Sequence, residues 1–201
     1  MSEPTAGPQG SNQNEGAPSS ELLRVRGGGL TAAQVAEATG CDPVRVGKNW
    51  PIIQAAAEKA GLTDVLSQIA IAATVAVETG TFEPIRERMA NPSRQPELAA
   101  RQAHYAPYIG RGYVQITWLR NYQFYGSKLG IDLEHNPDLA MDPHVAADIL
   151  VKYFQENGVD KAAWACNWRK VRLLVNGGYT AFDTFMGHVA RMMDLLEVPD
   201  A

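Results

Sequence analysis

Apolar positions recur at helical spacing along most of the chain. The strongest run is Leu66, Ile69, Ala73 and Val77, at i, i+3, i+7 and i+11. It predicts a central helix with a core-facing stripe, capped by Thr63 and stopped by Gly80. Alanines at 70, 72, 73 and 76 leave little bulk there, so neighbouring elements can approach closely. Upstream, Thr31 and Gln34 form a capping box for a short helix from Ala32 to Thr39, stopped by Gly40. Asp42-Pro43 starts a second short turn, and Trp50-Pro51 opens a further helix that ends at Gly61. Downstream, a helix from Asn121 to Leu129 ends at Gly130, followed by the turn-rich connector HNPDLAMDP. Asp142-Pro143 caps a helix running to about Glu156 and stopped by Gly158, with Val145, Ile149, Leu150 and Phe154 as its core stripe. Asn167 to Val175 leads into Asn176-Gly177-Gly178, and a last amphipathic helix covers Ala181 to Leu196. Tyr113 to Thr117 alternates instead with period two. It predicts a strand with Tyr113, Gln115 and Thr117 on one face and Val114 and Ile116 on the other.

The remaining segments carry no such period. Residues 1–29 are polar, rich in Gly, Pro and Ser, without an aromatic, and cannot bury enough apolar surface to offset chain entropy. They are expected to form a disordered tail or linker ahead of one domain over 30–201. Residues 91–110 predict a long loop or a short helix at a cleft rim, where His104 and Tyr105 are candidate liners.

With 201 residues and 45% apolar content, the chain can bury a core without disulfides. Cys41 and Cys166 form neither a disulfide framework nor a CxxC pair, and no His/Cys cluster suggests a metal. No stretch is apolar enough to span a bilayer, and the N-terminus lacks the basic and apolar regions of a signal peptide. Membrane insertion is therefore not expected, and a target outside the membrane requires release by another factor. The net charge of −4 argues against a general nucleic-acid binder. Charge is nevertheless concentrated. Between Pro84 and Arg120 lie Arg86, Arg88, Arg94, Arg101, Arg111 and Arg120 against only Glu87 and Glu97. This patch can meet an anionic ligand or simply solvate a long loop.

Two carboxylates stand at the centre of the pattern. Glu78 lies one residue past the apolar stripe and in the last helical turn. Partial burial and the negative end of the helix dipole both disfavour its ionised form, which suits a general acid. Position alone also fits an exposed Glu at a helix end. Glu87 follows nine residues later, after the Gly80 stop and the extended turn imposed by Pro84, so the two can face each other across a gap. Arg86 and Arg88 flank Glu87 and are expected to favour its charged form.

Four segments in order, Val77–Glu87, Tyr108–Gly126, Asn136–Pro143 and Val171–Gly178, resemble glycoside hydrolase family 19, and within it bacteriophage endolysins such as the glycosidase domain of mycobacteriophage lysin A. The resemblance implies an α+β, predominantly α-helical, lysozyme-like fold with a small sheet at the cleft. It implies Glu78 as general acid, Glu87 as general base of an inverting reaction, and Thr117 as a holder of the attacking water. It implies that Gln115, Asn121, Tyr122 and Asn176 line sugar subsites, with Tyr113 and Arg111 also expected to bind substrate. Val77 before the acid and the short spacing to Glu87 follow the phage enzymes instead of the plant chitinases. The expected substrate is then the GlcNAc–MurNAc strand of peptidoglycan, cut as by an N-acetylmuramidase during host lysis. The alternatives are a chitinase and a catalytically silent glycan-binding module. No cofactor is implied. A monomer is expected, made in the host cytoplasm and acting on the wall.

Overall fold

The computed structural model describes residues 29–197. Of the tail expected over 1–29, residues 1–28 lie outside the described residues. The chain is organised around one helix buried on nearly every side.

Helix α1 (Ala32–Thr39) carries the expected capping box, with Gln34 N–H donating to Thr31 Oγ1 at 3.2 Å and Thr31 N–H to Gln34 Oε1 at 2.9 Å. Helix α2 (Pro43–Lys59) departs from expectation, because it is one helix of 17 residues that runs through Pro51. A proline inside a helix costs about 3 kcal/mol. Here Val46, Trp50 and Ile53 lie on one buried face spanning both halves, and the Trp50 indole N–H donates to Leu30 O at 2.7 Å. Tertiary burial therefore overrides the local break.

The central helix α3 (Val65–Thr79) is capped by Asp64, not Thr63. The Asp64 carboxylate accepts from Ser67 N–H at 2.8 Å. Its burial is not confined to a stripe, since every residue from Val65 to Ala76 is buried. An all-round apolar helix is a core helix, and its alanines let the surrounding elements pack tightly. The main core joins α3 to α1, α2 and the later helices through Val35, Trp50, Phe154, Phe185 and Met192.

After α3 the chain turns into β1 (Ile85–Arg86), then α4 (Pro96–Ala103), which realises the short-helix option for residues 91–110. Strand β2 (Arg111–Gly112) pairs antiparallel with β1, Ile85 opposite Gly112 and Arg86 opposite Arg111. The strand expected over Tyr113–Thr117 is a turn instead, bonded back to Arg111 only through Ile116. Gln115 has φ 51°, which breaks the alternation the sequence pattern suggested.

Helix α5 (Leu119–Leu129) ends at Gly130, and the connector forms a short 3₁₀ turn, Pro137–Met141. Helix α6 (Pro143–Glu156) is capped by Asp142 as expected. A short α7 (Val159–Trp164) precedes α8 (Trp168–Asn176) and α9 (Phe182–Glu197). A smaller second core, Ile116, Tyr122, Tyr125, Leu133, Ala140 and Ile149, supports the sheet and α5. Helix α6 contributes to both cores and ties them together. The fold is α+β and mostly helical, as expected.

Candidate active site

Glu78 sits at the C-terminal end of α3, where Gly80 adopts φ 64° and reverses the chain. The turn that follows is anchored by Phe82, fully buried with φ 59°. Its N–H donates to Thr79 Oγ1 at 2.9 Å, and its ring meets Trp50 edge-on at 6.2 Å between centroids. Positive φ in a bulky residue is strained backbone, held here by the packing around it. This anchor separates Glu78 from β1 and hence from Glu87.

The Glu78 side chain is 18% exposed and is paired with Arg172 of α8, whose side chain is only 3% exposed. The same guanidinium donates through Nε to Thr180 O at 2.8 Å. Glu78 stands at a half-buried helix end, as its place in the sequence implies, but its partner Arg172 is not among the expected site residues. A signal existed: an arginine next to Val171 on an otherwise apolar helix face needs a buried partner.

Glu87 emerges from β1 into a polar cradle. Its Oε1 accepts from Gln102 Nε2 at 2.8 Å and from the Tyr105 hydroxyl at 2.7 Å, and its Oε2 accepts from Gly110 N–H at 3.0 Å. Burial pushes the carboxyl up, but the Gln102 amide, the Gly110 N–H, the Tyr105 hydroxyl and the nearby Arg101 charge outweigh it. The net result holds Glu87 below its ordinary value, ionised at neutral pH. Burial, the Glu87 bond and the Glu87 charge in turn push Tyr105 up to about 12, so it stays a hydrogen-bond donor.

The expected source of this effect was different. Arg86 pairs with Asp138 at 2.7 Å, and the cation that acts on Glu87 is Arg101, on α4. Gln102 was not foreseen; it is buried and also accepts from Ala90 N–H at 2.7 Å. A side chain at Gly110 would crowd the site, because a Cβ would lie 2.8 Å from Gln115 Oε1 and 3.3 Å from Glu87 Cβ.

Several expected substrate contacts lie under the site instead of in it. Tyr113 is fully buried and donates to Asn49 Oδ1 at 3.0 Å. Tyr122 is fully buried too, its hydroxyl donating to Ile109 O at 2.6 Å and accepting from Arg111 at 2.9 Å. Arg111, 4% exposed, is committed to Asp138, Pro107 O and Ile109 O as well. These three brace the floor, and none reaches solvent to meet a sugar.

The others stay nearer the surface. Gln115 is half-buried and spends its amide N–H groups on Ile85 O at 2.8 Å and Gly112 O at 2.9 Å, pinning β1 to β2. Thr117 donates to Gln115 O at 3.0 Å, and half-buried Asn121 donates to Thr117 O at 2.7 Å. Asn176 is exposed at the end of α8, before Gly177 with φ 70°. His104 is exposed just after α4.

Glu78 and Glu87 therefore have separate partners among the described residues: Arg172 on one side, and Gln102, Tyr105 and Gly110 on the other. No three His, Cys, Asp or Glu side chains group as a metal site among the described residues, and no described helix is long and apolar enough to cross a membrane. The two carboxyl groups thus stand in different surroundings, Glu87 among hydrogen-bond donors and Glu78 against a buried guanidinium.

This architecture is the fold of family 19 chitinases. The structure superposes on chitinase C from Streptomyces griseus HUT6037 with a TM-score of 0.62 and 21% identity, covering 85% of this chain and 79% of that one. A bacterial family 19 chitinase gives 0.62 and 23% identity over 85% of this chain and 96% of the other. In sequence the chain is similar to Chitinase 11 of Oryza sativa subsp. japonica, 56% identical over 41 residues, which is 20% of this chain and 16% of the rice protein. It is 31% identical to Endochitinase 1 of Theobroma cacao over 91 residues, 35% of this chain and 28% of the cacao protein. The chain thus matches less than a third of the length of these curated relatives. No family model matches it.

Proposed function

We propose that the protein is an inverting glycoside hydrolase acting on a β-1,4-linked N-acetylhexosamine polymer. The observation that carries this reading is Glu87, held charged by three donors at the far end of the turn that begins at Glu78. Glu87 takes a proton from a water while the water oxygen bonds to the anomeric carbon. The bond to the leaving oxygen breaks, and Glu78 delivers its proton there. An inverting enzyme needs its carboxyls about 6.5–9.5 Å apart to admit that water, and the Phe82-anchored turn lies between the two in the chain. Thr117 has committed its hydroxyl proton to Gln115 O, so it serves the water as an acceptor, leaving Glu87 to take the proton that is transferred. Asn176 is exposed at the end of the helix that carries Arg172.

The polymer proposed is peptidoglycan, cleaved as by an endolysin-type N-acetylmuramidase. Arg88, Arg94, Arg101 and Arg120 support this reading, being exposed and without an ion pair among the described residues. They suit the lactyl and stem-peptide carboxylates, whereas chitin is neutral. A chitinase is the second reading, favoured by the names of the similar proteins.

Digestion of purified peptidoglycan and of colloidal chitin, followed by mass spectrometry, separates the two. A reducing MurNAc end supports the muramidase, and soluble products from chitin alone support the chitinase. Turnover undiminished in Glu78→Gln, or no cleavage of either polymer by the unaltered protein, defeats the hydrolase reading.

A further inference from the structure

Trp118 stands out from the aromatic residues around it. It is 47% exposed, although its neighbours Tyr105, Tyr113 and Tyr122 are buried. Its backbone has φ 76° and ψ 138°, a conformation that side chains of its size rarely adopt. Three bonds hold it there: Trp118 N–H to Tyr108 O at 2.9 Å, and Asn121 N–H and Tyr122 N–H to Trp118 O at 3.0 and 3.4 Å. That backbone starts α5, for which Trp118 is the N-cap, but helix initiation does not require an indole presented to solvent. The indole packs against the Tyr105 ring, tilted by 58° with centroids 5.1 Å apart. The Tyr105 hydroxyl is the one that holds Glu87. Trp118 is therefore one aromatic ring away from Glu87.

A hollow of about 510 Å³ opens beside it, lined by Trp118, Leu119, Arg120 and Gln123. Arg120 is exposed and forms no ion pair among the described residues. The Gln123 amide is already committed to Glu134 at 2.9 Å, which leaves the Arg120 guanidinium as the cation facing this hollow. An apolar ring face beside a free guanidinium matches a sugar ring that carries a carboxylate: the C–H face of the sugar stacks on the indole, and the anion meets the arginine.

We propose that this hollow is a subsite for a carboxylate-bearing N-acetylhexosamine, with Trp118 as the stacking platform and Arg120 as the selecting charge. The inference rests on the glycoside hydrolase reading and sharpens it, because it places discrimination between acidic and neutral glycans at one named position of the glycan.

The test uses the full chain and two soluble probes, the GlcNAc–MurNAc tetrasaccharide with free lactyl carboxylates and neutral chitotetraose. Affinities are measured by calorimetry in a Glu78→Gln background, and the Trp118 indole N–H is followed by NMR. Trp118→Ala is expected to weaken binding of both probes about tenfold, with Trp118→Phe recovering most of the loss and thereby excluding misfolding. Arg120→Gln is expected to lower the ratio of acidic to neutral affinity about tenfold. An indole signal unmoved by either probe overturns the proposal, as does an Arg120→Gln ratio equal to that of the parent. Cleavage that is indifferent to both substitutions sinks the subsite and leaves the hydrolase standing. Trp118-dependent binding without cleavage by the chain with Glu78 intact does the reverse.

Discussion

The Arg172 guanidinium binds the Glu78 carboxylate with one edge and the Thr180 carbonyl with another. It thereby fixes the proposed proton donor to the loop that follows α8. Removing it leaves Glu78 half-buried without its counter-charge and releases that loop. Arg172→Ala is expected to cost about 3 kcal/mol, the low end for breaking a buried pair because Glu78 keeps some water. Denaturant unfolding measures this. Arg172→Lys restores charge but not the two-directional fork, so it should recover stability more than kcat. Equal recovery of both contradicts a positioning role.

If Glu87 is the proposed base, the acid limb of the pH–rate profile is expected to follow its ionisation. Its carboxyl is lowered in the folded protein, so activity is expected to be full at neutral pH and to fall as pH drops through the folded value. The same sign governs stability: the contribution is complete above the unfolded value and is lost as pH falls through the folded one. Tyr105→Phe and Gln102→Ala each remove a donor that lowers Glu87. In both variants the acid limb of kcat/KM should move to higher pH while the alkaline limb stays in place. A limb that does not move separates Glu87 from that titration.

Salt should act through the exposed arginines. Raising ionic strength is expected to slow peptidoglycan cleavage more than cleavage of neutral chitooligosaccharides. The difference should shrink in Arg88→Gln and Arg94→Gln variants, followed by turbidity clearance and by oligosaccharide release. Arg86 and Arg111 have no such part, both being spent on Asp138. Identical salt slopes on the two substrates remove the electrostatic argument for peptidoglycan.

Tyr113 separates bracing from binding. Tyr113→Phe leaves the Asn49 carbonyl without its donor inside the core, at about 1–2 kcal/mol. In a chain of this size that is a fall of several degrees in Tm. KM should not change, since the ring lies wholly inside the protein. A large KM effect with an unaltered Tm would reinstate it as a sugar contact.

Helices that rest on local rules were legible in the chain. The Thr31–Gln34 box, the Asp142 cap and the Gly40, Gly80 and Gly130 stops all stand where residue chemistry put them. Features decided by distant contacts were not. Helix α2 passes through Pro51 because residues on either side of the proline share one buried face. The alternation of Tyr113–Thr117 imitates a strand, yet a positive φ at Gln115 turns it into a loop, and Tyr113 goes to the core. In the site, the position of Glu87 was readable but its cradle was not. Gln102 lies 15 positions away and Gly110 lies 23 away, and no local pattern announces that an amide on α4 will meet a carboxylate after β1. The arginines flanking Glu87 in sequence were the natural candidates, but strand pairing turned Arg86 away to Asp138.

Gly110 shows how little it takes to disarm such a protein. Its N–H secures Glu87, and a single methyl group added at its α-carbon has nowhere to go except against Glu87 or Gln115. Gly110→Ala is expected to leave every ionisable group present and the helices folded, with normal circular dichroism, yet to push the Glu87 carboxylate out of its cradle. The chemistry can thus be silenced at a position that takes no chemical part in it, by bulk alone, and a search for inactivating changes confined to charged residues would pass it by.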